Sequence, residues 1–199
     1  MAVPQRVLKV LRTRPWHPLL RQSLLVVGVM SLLLLSSGPA IAQSSGATEY
    51  QIKAAFLYNF TRFVEWPADV FNSPDTAMQI CILGENPFGE DLDTLVHNKM
   101  VAGHALRVVQ LRKAPQIKDC QILFIAAPAG SQTREALQRA QGLSVLTVGE
   151  VPGFASQGGI INFVLENERV RFEINDKAAT EARLKISSKL LSLARSVTE

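Results

Sequence analysis

The stretch "IINFVLENERVRFEIN" (160–175) constrains the fold more than any other part of the chain. In its second half Val170, Phe172 and Ile174 alternate with Arg169, Arg171 and Glu173. A period of two belongs to a strand with one buried and one wet face. The first half is apolar on both faces, as a more central strand would be, and Glu166-Asn167-Glu168 fits the connecting turn. The segment therefore reads as an antiparallel hairpin, which needs a larger sheet to be stable. Gly158 and Gly159 stand just before it. A phosphate-binding loop runs strand, glycines, helix N-terminus, usually with a lysine. Here the glycines precede a strand and no helix follows directly, so they open a strand rather than cradle a nucleotide.

Other elements follow by the same reasoning. In "EYQIKAAFLYNFTRFVEWP" the residues Ile52, Ala55, Phe56, Phe60 and Phe63 recur at spacings of three and four, which predicts an amphipathic helix buried along that stripe. Thr48 is its expected N-cap and Pro67 its expected end. "AMQICILG", "CQILFIA" and "LSVLTVG" read as buried strands, and "MVAGHALRVVQL" as two strands about Gly103. A short helix is expected to begin near Gly89. A second, over 134–140, is expected to be capped by Ser131 or Thr133 and ended by Gly142. Asn175 is placed to cap a last helix from about Asp176 to Ser196, with Ala179, Ala182, Ile186, Leu190, Leu193 and Val197 as its buried stripe. The order of elements predicts an α/β fold in a single compact domain: a mixed sheet flanked by helices, with a C-terminal β-hairpin and helix.

The charge of the whole chain, +4, raises the question of nucleic acid, but its distribution removes it. Arg6, Lys9, Arg12, Arg14 and Arg21 lie in the first 42 residues, where there is no acid. The uncharged "SLLVVGVMSLLLLSSG" and then Ala40-Ile41-Ala42 follow. A basic start, a short apolar run and a small-x-small site make up a secretory signal peptide over 1–42, with cleavage expected after Ala42; uncleaved, the segment would act as an anchor. The run is about half of the roughly 20 residues that a spanning helix needs. Of the 21 basic and 17 acidic side chains, 16 and 17 remain after its removal, a net charge of −1. Residues 43–48 form a polar linker and 49–199 the domain. Export places the protein in an oxidising compartment, where the even pair Cys81 and Cys120 suggests a disulfide; two separate buried thiols are the alternative.

No chemistry emerges from the motifs. His97 and His104 lack metal-ligand spacing to cysteines or carboxylates. There is no G-x-S-x-G elbow, and Glu85, Glu90, Asp91 and Asp93 lack the oxygen-ligand order of a calcium loop. The expectation is a non-enzyme with no cofactor and no metal. The aromatic group Phe56, Tyr58, Phe60, Phe63 and Trp66 is the most unusual local feature. Phe56, Phe60 and Phe63 read as core, while Tyr58, Asn59, Arg62 and Trp66 lie partly off the stripe and are suited to line a groove for a partner or small ligand.

Five segments, "KAAFLYNFTRFVEWP", "ICILGENPFG", "CQILFI", "LTVGEVPGFASQGGIINFVLENERVRFEIN" and "LKISSKLLSLAR", in this order, resemble the YfiR family of exported bacterial proteins over roughly 48–196. The resemblance implies a periplasmic α/β protein that tends to dimerise. It implies binding to the periplasmic sensor region of an inner-membrane diguanylate cyclase, restraint of that cyclase, less cyclic di-GMP and less biofilm. An outer-membrane lipoprotein can sequester such an inhibitor. Cys81 and Cys120 match a family pair that forms a disulfide; a second pair found in some members is absent here, as is the histidine expected after Cys120, where Gln121 stands. The expected interaction residues are Asn59, Arg62 and Trp66 together with Arg169 and Arg171 on the hairpin's charged face. A periplasmic small-ligand sensor without a cyclase partner is the alternative function.

Overall fold

The computed structural model describes residues 47–126 and 130–198; the expected signal peptide and most of the linker lie outside them. Residues from Gly46 onward form one compact unit. The elements are α1 (Glu49–Phe63), β1 (Val64–Glu65), β2 (Met78–Leu83), α2 (Asp91–Val96), β3 (Met100–Val101), β4 (His104–Leu111), β5 (Ile122–Ile125), α3 (Gly130–Ala140), β6 (Leu146–Gly149), β7 (Ile161–Glu166), β8 (Arg169–Asn175), α4 (Asp176–Glu181), β9 (Lys185–Ile186), α5 (Ser188–Leu191) and β10 (Ser196–Thr198). Eight strands form a mixed sheet in the order β10-β8-β7-β6-β5-β2-β4-β3. Its centre is parallel, and the hairpins β7–β8 and β3–β4 are antiparallel. A separate antiparallel ribbon pairs β1 with β9.

Alternation along the strands sends side chains to two cores. On one face Ile80, Ile82, Phe124, Val148, Phe163 and Phe172 pack with Leu57 and Phe60 of α1. On the other, Cys81, Leu83, Leu123 and Ile125 pack with Ala136, Leu137 and Ala140 of α3 and with Phe154. The glycines at 149 and 159 belong to this second layer. A Cβ on Gly149 would come within 2.5 Å of the Phe154 ring, and one on Gly159 within 2.1 Å. They leave room for a buried phenyl ring, which is why a glycine precedes this strand.

The hairpin reading holds: β7 and β8 pair Glu166 with Arg169 through a turn in which Asn167 and Glu168 have φ of 49° and 61°. Thr48 and Asn175 cap α1 and α4 as expected, their side chains accepting from Gln51 N–H and Ala178 N–H. Four expectations are corrected. α1 ends at Phe63, not at Pro67, because Val64 and Glu65 turn extended to pair with Ile186 and Lys185. Its buried stripe is Lys53, Ala54, Leu57, Phe60 and Thr61, with Ile52, Ala55, Phe56 and Phe63 half-buried; the helix is apolar around so much of its surface that spacing alone did not fix the inward face. α3 starts at Gly130, so Thr133 lies inside it and is buried.

The last correction is the largest. The expected helix from Asp176 to Ser196 is two short helices and two short strands. Arg183 takes a left-handed conformation (φ 60°), and Leu184 N–H returns to the Ala179 carbonyl, which closes α4 as a C-terminal cap does. Lys185–Ile186 then pairs with β1, Ser187 caps α5, and β10 adds parallel to β8. Leu193 and Val197 are consequently 55% and 40% exposed rather than core.

Candidate functional site

The residues singled out from the sequence fall on two surfaces. Asn59 and Arg62 are three residues apart on α1, hence neighbours on the helix surface. Trp66 follows β1, and its indole Nε1 donates to the Gln121 carbonyl at 3.1 Å, which fixes the ring. Arg62 and Trp66 line a groove of about 560 Å³ with Thr61, Val64, Glu65, Phe71 and Met78, and its opposite wall is Met100, Val101 and Ala102. Met100 is 66% exposed at the rim. The Arg62 guanidinium lies 6.0 Å from the ring centres of both Tyr58 and Phe63, and Lys189 Nζ lies 5.2 Å from that of Phe63. Two cations thus share one aromatic ring beside the groove, and neither joins an ion pair among the described residues.

The groove's end wall is held by His104. Its imidazole stacks on Phe71 at 3.8 Å between ring centres, and its Nδ1 stands 2.7 Å from the Thr76 carbonyl. A carbonyl only accepts, so Nδ1 carries the proton. His97 is exposed at the C-terminal end of α2. Among the described residues no three His, Cys, Asp or Glu side chains converge as a metal site would require.

Arg169 and Arg171 lie elsewhere. They alternate with Val170 and Phe172, which face α1, so they project from the other face of β8. Five strands separate β8 from β3 in the sheet. On the same side Arg195 reaches Glu166 at 3.4 Å and Glu173 at 3.5 Å, and the buried Asn162 donates from its Nδ2 to Glu173 at 3.4 Å. The structure brings Asn59, Arg62 and Trp66 into one neighbourhood and leaves the two hairpin arginines on another.

A third cluster escaped the sequence reading. Lys53, only 5% exposed, has its ammonium 2.6 Å from Glu150 and also pairs with Glu49. The Tyr50 hydroxyl donates to Glu150 at 3.4 Å. Burial opposes the charge on Lys53, but the hydrogen bonds and charges of Glu150 and Glu49 outweigh it and raise its pKa above the ordinary 10.5. Burial, with the Glu150 charge, raises Tyr50 above 10.0. The four-residue spacing of Glu49 and Lys53 on α1 is the one signal that could have revealed part of it; Glu150, in the loop after β6, gives none. Cys81 and Cys120 form a disulfide with Cα atoms 5.8 Å apart, tying β2 to the start of β5 inside the second core.

The model of the YfiR/HmsC-like family matches residues 50–195, which is nearly the whole described chain. The protein belongs to this family. YfiR-like proteins are periplasmic and regulatory rather than catalytic. No curated protein sequence matches the chain. Among solved structures, the ABC domain in complex with L-Trp from Streptococcus pneumonia matches with 12% identity and a TM-score of 0.44, covering 60% of this chain and 55% of that one. A conserved domain protein from Vibrio cholerae O1 biovar eltor has the same identity and score, covering 77% of this chain and 62% of that one. The chain spans less than two thirds of either.

Proposed function

We propose that this protein binds the periplasmic sensor region of an inner-membrane diguanylate cyclase and inhibits it, lowering cyclic di-GMP. Its membership of the YfiR/HmsC-like family over residues 50–195 carries the reading. The groove beside Arg62 and Trp66 supports the choice of docking face, since arginine and tryptophan at a partly desolvated groove are the residue types that dominate binding energy at interfaces. Release of the inhibitor would follow from sequestration by an outer-membrane lipoprotein, and a homodimer is the proposed resting form. The test is calorimetric titration of the exported protein with the isolated periplasmic region of the cyclase. Arg62→Glu is expected to weaken binding about tenfold or more, the order of a lost charge-assisted contact. Arg171→Glu examines the hairpin face separately. Unchanged affinity in a folded protein carrying both substitutions would remove these surfaces from the account.

The second reading, a small-ligand sensor, is favoured by the groove's volume, which lies in the range of about 300–1,000 Å³ usual for ligand sites. A ligand of that kind would raise the melting temperature by mass action.

A further inference from the structure

The walls of the groove differ in a way that specifies what fits between them. β3 is the terminal strand of the eight-stranded sheet and has β4 on one side only. Val101 pairs with His104, and Lys99 accepts from Leu106 N–H, so by the alternation of an antiparallel ladder the N–H and C=O of Met100 face outward. β3 contains no proline and no charge, and although it is short, Met100–Val101, its edge offers the outward N–H and C=O of Met100 for pairing. The floor between β3 and β1 is apolar, built from Val64, Met78 and Phe71. The rim carries Arg62, with Lys189 on the same Phe63 ring, against a single acid, the exposed Glu65, so cations outnumber it there.

We propose that the groove receives an extended acidic segment of a partner protein, which adds along the free edge of β3 and sets a carboxylate against Arg62 and Lys189. The inference rests on the reading of the Arg62–Trp66 face as the partner-binding face, and it adds the chemistry of what binds there. Backbone bonds to Met100 would supply register, alternate apolar side chains would enter the floor, and the two cations would select the charge. This division of labour is that of strand addition generally.

Trp66 lines the groove, so its emission reports occupancy when read as the difference from a Trp66→Phe control. The probes are two blocked ten-residue peptides with the same alternating valine and threonine pattern. One ends in two glutamates and the other in two lysines. The acidic peptide is expected to bind about tenfold tighter or more, with a preference that salt weakens. Arg62→Glu with Lys189→Glu should abolish or reverse that preference. Met100→Pro, which removes the outward N–H and leaves the ladder bonds to β4 intact, should weaken binding, while Met100→Ala should retain most of it. Equal binding of the two peptides, or equal behaviour of the proline and alanine variants, would overturn the proposal. So would a response to phosphatidylglycerol vesicles that is indifferent to Met100→Pro, which would assign the cations to a lipid surface. Binding of the cyclase region without any binding of the acidic peptide would overturn this inference alone. Peptide binding without cyclase binding would overturn the cyclase assignment alone.

Discussion

Lys53 holds a buried charge between two carboxylates. Its ammonium is buried between Glu49 and Glu150 and lies 4.6 Å from the Tyr50 ring centre. Removing one partner of a buried pair leaves the other charge uncompensated, at a cost of about 3–5 kcal/mol. Lys53→Met is therefore expected to lower stability by about 3 kcal/mol in urea unfolding, with part of the loss recovered by adding Glu150→Gln. The pH dependence has a definite sign. A group whose folded pKa is raised holds its proton more tightly when folded, so its stabilisation is complete below the unfolded pKa and lost as pH rises through the folded one. For Tyr50 and Lys53 the loss begins above 10.0 and 10.5. Stability should fall with alkalinity above pH 10 and, in a Tyr50→Phe background where the Tyr50 titration that Lys53 opposes is absent, fall less steeply once Lys53→Met is added. An identical alkaline slope in the two would contradict the account.

At the scale of elements, the β7–β8 hairpin is tightly specified. Its two turn residues both have positive φ, the conformation of the tight turn whose preferred sequence is Asn-Gly. Asn167 suits it and Glu168 does not. Glu168→Gly is expected to stabilise the protein by about 0.5–1 kcal/mol, visible as a melting temperature a few degrees higher. A lower melting temperature would show that Glu168 contributes something beyond the turn.

This hairpin was legible because its information is local: alternation, a turn and a cap lie within sixteen consecutive residues. The caps at Thr48 and Asn175 were legible for the same reason. The segment after Asp176 was not, because the spacing of Ala179, Ala182, Ile186 and Leu190 fits a helix equally well. What breaks that helix is non-local: the pairing of Lys185–Ile186 with β1 and of β10 with β8. The groove shares this limit. Arg62 and Trp66 were found as residues lying partly off a buried stripe, but the opposite wall comes from β3, and neither Met100 nor Val101 carried a signal of its own. Lys53 and Glu150 stand 97 positions apart, so only the folded arrangement of α1 and β6 reveals their contact.

For the molecule as a whole, the disulfide and the sheet act together. Cys81 and Cys120 close a loop with a separation of 39 residues across adjacent parallel strands. By loop entropy such a link is worth about 4 kcal/mol, appropriate to an exported domain. The sheet carries two separate arginine-bearing surfaces, the Arg62–Trp66 groove and the Arg169–Arg171 face of β8. A molecule built in this way is suited to hold a partner on one surface while the other remains accessible. Inhibition of the cyclase is the proposed activity. Its most direct test is cyclic di-GMP synthesis by the full-length cyclase reconstituted in lipid nanodiscs, with the folded, disulfide-bonded protein titrated onto its periplasmic side. A saturable fall in synthesis is expected, which Arg62→Glu shifts to higher protein concentration. Undiminished synthesis at saturating protein would contradict it.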